Sequence, residues 1–253
     1  MMVLSAVDIR KKFEREDFLG RKLGSIMALK GVSIRVSTGE ILALVGESGS
    51  GKSTLAKIIC GMEKADSGEI SWNVKSSHPA QMVFQNPFES LNPRLSIGYI
   101  IREALAAAGL KKRERKSASE ELLKSVGLEG INPASLPHQF SGGQRQRIAI
   151  ARALALSPEL LVCDEAVSSL DISVQAQIIG LLKEINSNSG IPIIFIAHDL
   201  EAVSMIADRI AVMQDGLVVE EGATSKIIQS PSQEYTQELI EAVPVNPSRK
   251  KLQ

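Results

Sequence analysis

Three short apolar runs, ILALV at 41–45, LLVC at 160–163 and IIFIA at 193–197, are continuous and do not alternate with polar residues. Continuous runs of this length, bounded by turn signals, predict strands buried on both faces, as in a parallel sheet. Each passes directly into polar residues: Gly46-Glu47-Ser48, Asp164-Glu165 and His198-Asp199. Ligands of open α/β sheets bind beyond the carboxyl ends of the strands. Three strands are therefore expected to deliver three polar sets to one edge. Between them, apolar positions recur at helical spacing. Residues 54–62 place Leu55, Ile58, Ile59 and Met62 on one face. The same spacing predicts helices over 100–110, 119–126, 145–156 and 174–185, the last followed by NSNSG read as a loop. The stretch from about 87 to 158 is mainly helical and reads as an inserted subdomain. The final PVNPSRKKLQ is polar and proline-broken and is expected to fray.

Composition narrows the class. The chain has 253 residues, enough for one large domain or a core with an inserted subdomain. Its 44% hydrophobic and 23% charged content is ordinary for a globular protein. A net charge of zero lacks the basic excess of a nucleic-acid binder. Cys60 and Cys163 stand outside any CxxC pattern among apolar neighbours, so they read as buried free thiols. No apolar run approaches the ~20 residues needed to span a bilayer. The N-terminus turns charged too soon for a secretory signal. The expectation is a soluble, cytoplasmic chain whose membrane role comes through a partner. The basic run 111–116 reads as a solvated helix end or loop.

The chemistry begins at 46–54, GESGSGKST, which fits the phosphate-loop pattern GxxxxGK[ST] in full. Gly46, Gly49 and Gly51 let backbone N–H groups at Glu47, Ser48 and Ser50 approach phosphate oxygens without Cβ obstruction. The helix start at Thr54 adds its positive dipole end. Lys52 is placed to reach terminal phosphates and Ser53 to ligate Mg²⁺. At the end of the second strand, Asp164 is a candidate Mg²⁺ ligand and Glu165 a candidate for orienting or deprotonating a water. His198 ends the third strand on the same edge, whereas His78 and His138 have no such setting. Ser141 is a candidate N-cap, and the SGGQ that it begins (Ser141, Gly142, Gly143, Gln144) reads equally as an anion-binding helix start or as an ordinary cap.

The ordered set formed by the phosphate loop, Gln85 in MVFQNP, FSGGQ at 140–144, LLVCDE at 160–165, SSLD at 168–171 and His198 resembles the ATP-binding subunit of an ABC transporter, over about residues 4–240. The resemblance implies an α/β fold: a P-loop NTPase core with a mainly parallel sheet, an N-terminal antiparallel β subdomain and an inserted α-helical subdomain. It implies one ABC ATPase domain over 1–253, with core about 1–86 and 159–230, helical subdomain about 87–158 and tail 231–253. It further implies that two subunits close head to tail around two ATP molecules. The loop Ser141–Gln144 of one would then cap the nucleotide on the other's phosphate loop. Phe13 would match the aromatic that stacks on adenine. Gln85 would sense Mg²⁺ and the γ-phosphate. Asp171 would lie at the dimer seam, Glu165 would be the catalytic base and His198 the switch histidine.

The stretches QNPFESLNPRLSIGYIIREAL, DEAVSSLDISVQAQI and SPSQEYTQELIEAVP resemble the dipeptide, oligopeptide and nickel importer ATPases. Peptide-importing relatives often continue into a cysteine-bearing C-terminal segment, and this sequence stops at Gln253, which tilts the expectation toward nickel or a metal chelate. The segment between Gly68 and Gln85 is short for the family and is expected to trim the antiparallel strands. Phe140 stands where leucine is more usual, with little change expected. The implied partners are integral membrane permease subunits, a second ABC ATPase subunit (a copy or a paralogue) and, indirectly, an extracytoplasmic solute-binding protein. The implied place is the cytoplasmic face of the cell (inner) membrane, held peripherally. The alternative is a soluble ABC-type ATPase acting on nucleic acid or ribosomes. Such proteins usually carry paired modules, long coiled-coil insertions or basic extensions, and none is present here. A P-loop small-molecule kinase leaves SGGQ and Gln85 without a role.

Overall fold

The computed structural model describes residues 1–16, 22–74, 76, 79–87 and 90–242. His78 and the stretch at 244–253 lie outside them. In chain order the elements are β1 (Met2–Glu16), β2 (Lys22–Ser37), β3 (Ile41–Val45), α1 (Lys52–Ile59), β4 (Ser67–Trp72), β5 (Ala80–Val83), α2 (Ile97–Ala107), α3 (Arg115–Ser125), α4 (Gly142–Leu154), β6 (Leu160–Asp164), α5 (Ile172–Ser189), β7 (Ile193–Ile196), α6 (Leu200–Ile206), β8 (Arg209–Gln214), β9 (Leu217–Ala223), α7 (Thr224–Gln229) and α8 (Glu234–Glu241). One sheet is antiparallel, in the order β2-β1-β4. The other runs β5-β6-β7-β3-β8-β9, parallel except for the edge strand β9.

The continuous apolar runs form the centre of this second sheet, and both of its faces are covered. Successive side chains of a strand point to opposite faces. Ile41, Ala43 and Val45 accordingly pack with Leu161, Cys163, Ile193 and Phe195 against helices α2 to α6. Leu42 and Leu44 pack with Leu160, Val162, Ile194 and Ile196 against α1 and the antiparallel sheet. A strand with two apolar partners has no solvent face, which is why the sequence does not alternate. Helix α1 starts after Gly51, held at φ 103°, and buries Leu55, Ile58 and Ile59 at one-turn spacing. Helices α2, α3 and α4 stand between β5 and β6 in the chain.

Two sequence expectations fail. Met62, expected on the apolar face of a helix over 54–62, lies beyond the end of α1 at Ile59 and is exposed. The residues NSNS at 186–189 are not a loop but the last turn of α5, which ends at Gly190 with φ 71°. Gly190 supplies the left-handed C-cap and donates its N–H to the Asn186 carbonyl. The Asn186 amide reaches the Ile191 carbonyl at 2.9 Å, and the Ser189 hydroxyl donates to the Ile185 carbonyl at 2.6 Å. Polar residues that favour turns are here satisfied inside a helix end. Cys163 is buried and Cys60 half-buried, and both are free. Burial pushes the Cys60 thiol up to about 12 and the Cys163 thiol further still, so neither is a reactive thiolate.

One carboxylate anchors the turn that leads into α8. Glu220 on β9 accepts from the Ser232 N–H at 2.8 Å, the Ser232 hydroxyl at 2.7 Å and the Gln233 N–H at 3.2 Å. Burial alone would raise its pKa, but the nearby Thr236 hydroxyl and the bonds from Ser232 and Gln233 outweigh it and hold the group down to about 2. A depressed carboxylate contributes stability above its ordinary pKa, and that contribution fades as pH falls toward the folded value. Hydrogen exchange over 230–242, corrected for the intrinsic rate at each pH, is therefore expected to be slow at pH 6 and to quicken between pH 4.5 and pH 2. Glu220→Gln is expected to speed it already at pH 6 and to flatten the acid dependence. Unchanged exchange in that variant would show that contacts other than those of Glu220 hold α8.

Candidate functional site

Register brings the polar strand ends together. Leu44 pairs with Ile196, and Ile196 pairs with Asp164 across the other side of β7. Beyond these pairs the Glu165 N–H donates to the Ile196 carbonyl at 3.0 Å. Gly46, Asp164, Glu165 and His198 thus emerge at one edge, with His198 exposed. Glu165 has φ 48°, a conformation that non-glycine residues rarely adopt and that costs on the order of 1–3 kcal/mol.

The phosphate-loop glycines are required by the backbone that surrounds them. A Cβ on Gly46 would sit 2.1 Å from the Met213 carbonyl oxygen, and one on Gly51 would sit 2.6 Å from the Ala28 carbonyl oxygen. The loop is therefore wedged between β8 and β2, and its position is fixed from both sides. Gly49, at φ 87°, faces open space. Lys52 is buried and folds over the loop. Its ammonium donates to the Gly46 carbonyl at 2.7 Å, the Glu47 carbonyl at 2.8 Å and the Ser50 hydroxyl at 3.2 Å. Burial lowers its pKa, against the opposing pull of the Glu165, Asp164 and Glu47 carboxylates.

The Ser53 hydroxyl donates to Asp164 Oδ1 at 3.0 Å. Burial raises the Asp164 pKa, opposed by this bond. A hydroxyl and a carboxylate oxygen at hydrogen-bond separation are hard donors of the type that Mg²⁺ takes, and a divalent cation would favour the ionised carboxylate. The donor set thus fits that metal. Gln85 reaches the same edge through a relay. Its amide donates to the Ser168 hydroxyl at 3.0 Å, and that hydroxyl donates to the Glu165 carbonyl at 2.9 Å. Ser169 closes the loop onto the Gln85 carbonyl at 3.4 Å. Gln146 on α4, 1% exposed, donates to the Phe84 carbonyl at 3.3 Å, so α4 is coupled to the residue before Gln85.

Phe13 lies opposite Ile26 on β2, two residues before Ala28, whose carbonyl limits Gly51. It is 39% exposed, with the Lys11 ammonium 5.1 Å from its ring centre. Ser141 and Asp171 are helix caps. Ser141 accepts from the Gln144 N–H at 3.3 Å, while the Gln144 side chain accepts from the Ser141 N–H at 3.0 Å, a reciprocal capping box. Asp171 Oδ1 accepts from the Val174 N–H at 2.9 Å and the Ser173 hydroxyl at 2.7 Å, and these bonds lower its pKa. The side-chain bonds of Ser141 and Gln144 are with each other, so they do not tie this loop to 46–54. Ser141 and Gln144 are exposed, as is Asp171.

Ser168, Gln146 and Tyr235 were not singled out in the sequence. Ser168 carries no pattern beyond the SSLD in which it sits. Gln146 sits in a polar helical turn that looks solvated. Tyr235 is one of two tyrosines in the chain and sits in the stretch SPSQEYTQELIEAVP, but neither fact points to the phosphate loop. The structure also gives Gly143 a packing duty, because a Cβ there would lie 2.5 Å from Val174 Cγ1. Valine is stiff at χ1 and cannot turn away cheaply. Gly143→Ala is therefore expected to cost about 1–3 kcal/mol despite alanine's better helix propensity. Val174→Ala in the same chain should restore most of the loss. Chemical denaturation of both variants measures it, and a Gly143→Ala protein as stable as the parent would remove packing as the reason for the glycine.

Among the described residues no helix is long and apolar enough to cross a membrane. Residues 29–168 match the model of the ABC transporter family. The chain is 42% identical over 237 residues to the oligopeptide transport ATP-binding protein OppF of Bacillus subtilis (strain 168), covering 88% of this chain and 78% of that protein. It is 40% identical over 261 residues to OppF of Escherichia coli (strain K12), covering 96% of this chain and 78% of that protein. Among solved structures, an ATP-binding cassette dimer in a post-hydrolysis state, bound to ADP and Pi, matches with a TM-score of 0.74 and 28% identity, over 87% of this chain and 98% of that one. With its fold, its phosphate loop and more than half of its length matching, the chain belongs to the ABC transporter family as an ATP-binding cassette, an ATPase.

Proposed function

We propose that this chain is the ATP-hydrolysing motor subunit of an importer for short peptides, working at the cytoplasmic face of the membrane with permease subunits and a second ATPase subunit. The observation that carries the reading is the convergence of Lys52, Ser53, Asp164 and Glu165 at one sheet edge, with Gln85 connected to it through Ser168. The names of the relatives favour peptides over nickel or a metal chelate. The dimer seen in the solved cassette favours two subunits acting together.

In this reading the backbone N–H groups of 48–54 and the Lys52 ammonium bind the phosphates of ATP, exchanging the ammonium's loop carbonyls for phosphate oxygens, while the Glu47 N–H is taken by the Tyr235 hydroxyl. Phe13 presents its exposed ring to the base. Ser53 and Asp164 would hold Mg²⁺, which when bound neutralises charge on the phosphate oxygens. Glu165 orients the attacking water and accepts its proton, and His198 meets the terminal phosphate from the neighbouring strand. The relay Gln85–Ser168–Glu165 carries the state of that site toward the permease face. The exposed caps Ser141 and Asp171 face the partner subunit, where the Ser141 loop closes over the other nucleotide. A helix start whose side chains are already paired presents its remaining N–H groups outward, which suits a partner's phosphate.

Glu165→Gln is expected to bind ATP and dimerise while hydrolysing at least ~100-fold more slowly. A variant that stays monomeric with undiminished turnover overturns the reading. Ser141→Arg is expected to leave ATP binding within about twofold and to block dimer closure and hydrolysis. Loss of nucleotide binding in that variant would assign the loop to its own subunit's site. Reconstituted with its permease, the complex is expected to take up di- or oligopeptide and not nickel. Nickel uptake without peptide uptake would reverse the substrate assignment.

A further inference from the structure

The phosphate loop has a contact that its motif does not contain. The Glu47 N–H donates to the Tyr235 hydroxyl at 2.9 Å, across 188 residues of chain. Tyr235 is the second residue of α8, and it reaches the loop because the residues just before the helix are anchored. Glu220 on β9 holds Ser232 and Gln233 through their backbone N–H groups and the Ser232 hydroxyl, within three residues of Tyr235. Burial raises the pKa of the phenol, the Glu47 amide bond opposes this, and the carboxylates of Glu47, Asp215 and Glu238 add to the rise. The hydroxyl therefore stays neutral and available as an acceptor.

The Glu47 N–H and the Gly46 carbonyl belong to one peptide plane. That plane is held at both ends: the carbonyl takes the Lys52 ammonium at 2.7 Å, and the N–H gives to Tyr235 at 2.9 Å. The residue before the plane is glycine with φ 144°, so no side chain of its own opposes rotation of the peptide. The rest of the loop is pinned elsewhere. The Ser50 N–H donates to the Glu47 carbonyl at 3.2 Å, and the Gly216 N–H donates to the Ser50 carbonyl at 3.1 Å. Of these bonds, Tyr235 alone restrains the 46–47 plane once Lys52 turns to a phosphate.

We propose that Tyr235 is a positioning residue for nucleotide binding: its hydroxyl, delivered by the Glu220 anchor, locks the 46–47 peptide and keeps the phosphate loop in its binding-competent shape while Lys52 is engaged by phosphate. This rests on the reading of 46–54 as the phosphate cradle. Affinity for ATP then depends on a residue in the C-terminal helix that touches neither nucleotide nor metal. When a bond that selects the competent state is removed, apparent affinity falls by the fraction of loops left in that state.

The full chain is titrated with a fluorescent N-methylanthraniloyl ATP analogue in the presence of Mg²⁺. Tyr235→Phe keeps the ring and removes the oxygen. It is expected to raise Kd about three- to tenfold, the range for loss of one neutral hydrogen bond. The same shift is expected in KM for ATP, with less than about a twofold change in kcat. Glu220→Gln is expected to weaken binding in the same direction, and the double variant to be no weaker than the poorer single one. Hydrogen exchange is expected to quicken at the Glu47 amide in Tyr235→Phe and to stay slow over β3, which separates loosening of the loop from loss of fold. Parent-like Kd in Tyr235→Phe, or effects of the two variants that sum, overturns the proposal. Lys52→Ala is the control for the underlying reading. If it loses the analogue while Tyr235→Phe does not, the proposal alone fails; if it binds like the parent, the cradle reading fails and takes the proposal with it.

Discussion

The parallel pairing of β3, β7 and β6 is the constraint on which the rest depends. Leu44, Ile196 and Asp164 stand in one row across three strands. A slip of one residue in any of these strands would turn its side chains to the opposite face, and both faces are filled. Ile41, Ala43 and Val45 belong to one core and Leu42 and Leu44 to the other. Apolar packing therefore fixes the register, and the register places the carboxylates and the phosphate loop within reach of one another. The chemistry at the edge inherits its precision from side chains that take no part in it.

Around that edge the same groups serve structure and chemistry together. Gly46 and Gly51 let the chain pass between the Met213 and Ala28 carbonyls, and the resulting close fit holds the loop in place. Ser53 and Asp164 satisfy each other across 3.0 Å while presenting oxygens. Glu165 holds a backbone conformation that its side chain disfavours, and three bonds around it, to Ile196, Ser168 and through Ser168 to Gln85, keep it there. Asp171 and Ser141 cap their helices and still leave their outward faces exposed.

Much of this was legible in the residues, and the reasons for what was not are physical. The strands at 41–45 and 160–164 could be read because a strand buried on both faces must be apolar throughout. The phosphate loop was readable because few backbone paths reach around a phosphate and glycine marks them. Helix α5 ran four residues past its expected end because Asn186 and Ser189, turn formers by preference, found partners within the last turn. Gly143 stood in a helix start that read equally as anion-binding or as an ordinary cap, and its fit against Val174, 31 positions further along the chain, is encoded by no local pattern. The contacts of Gln146 with Phe84 and of Tyr235 with Glu47 join residues 62 and 188 positions apart. Nothing in their neighbourhoods reports such distant partners.

The placement of β3 also bears on how the protein is made. Its neighbours in the sheet are β7 and β8, and the Ile41 N–H is satisfied by the Asp208 carboxylate at 2.8 Å, 167 residues later in the chain. Contacts of such long range form late and slowly, because the intervening loop must close before they reward it. While the ribosome is still adding the helices between β5 and β6, the strand that bears the phosphate loop has neither of its neighbours. The nascent chain therefore carries a strand that is apolar on both faces, without its sheet neighbours, until β7 and β8 emerge, an interval in which such surface is prone to aggregation.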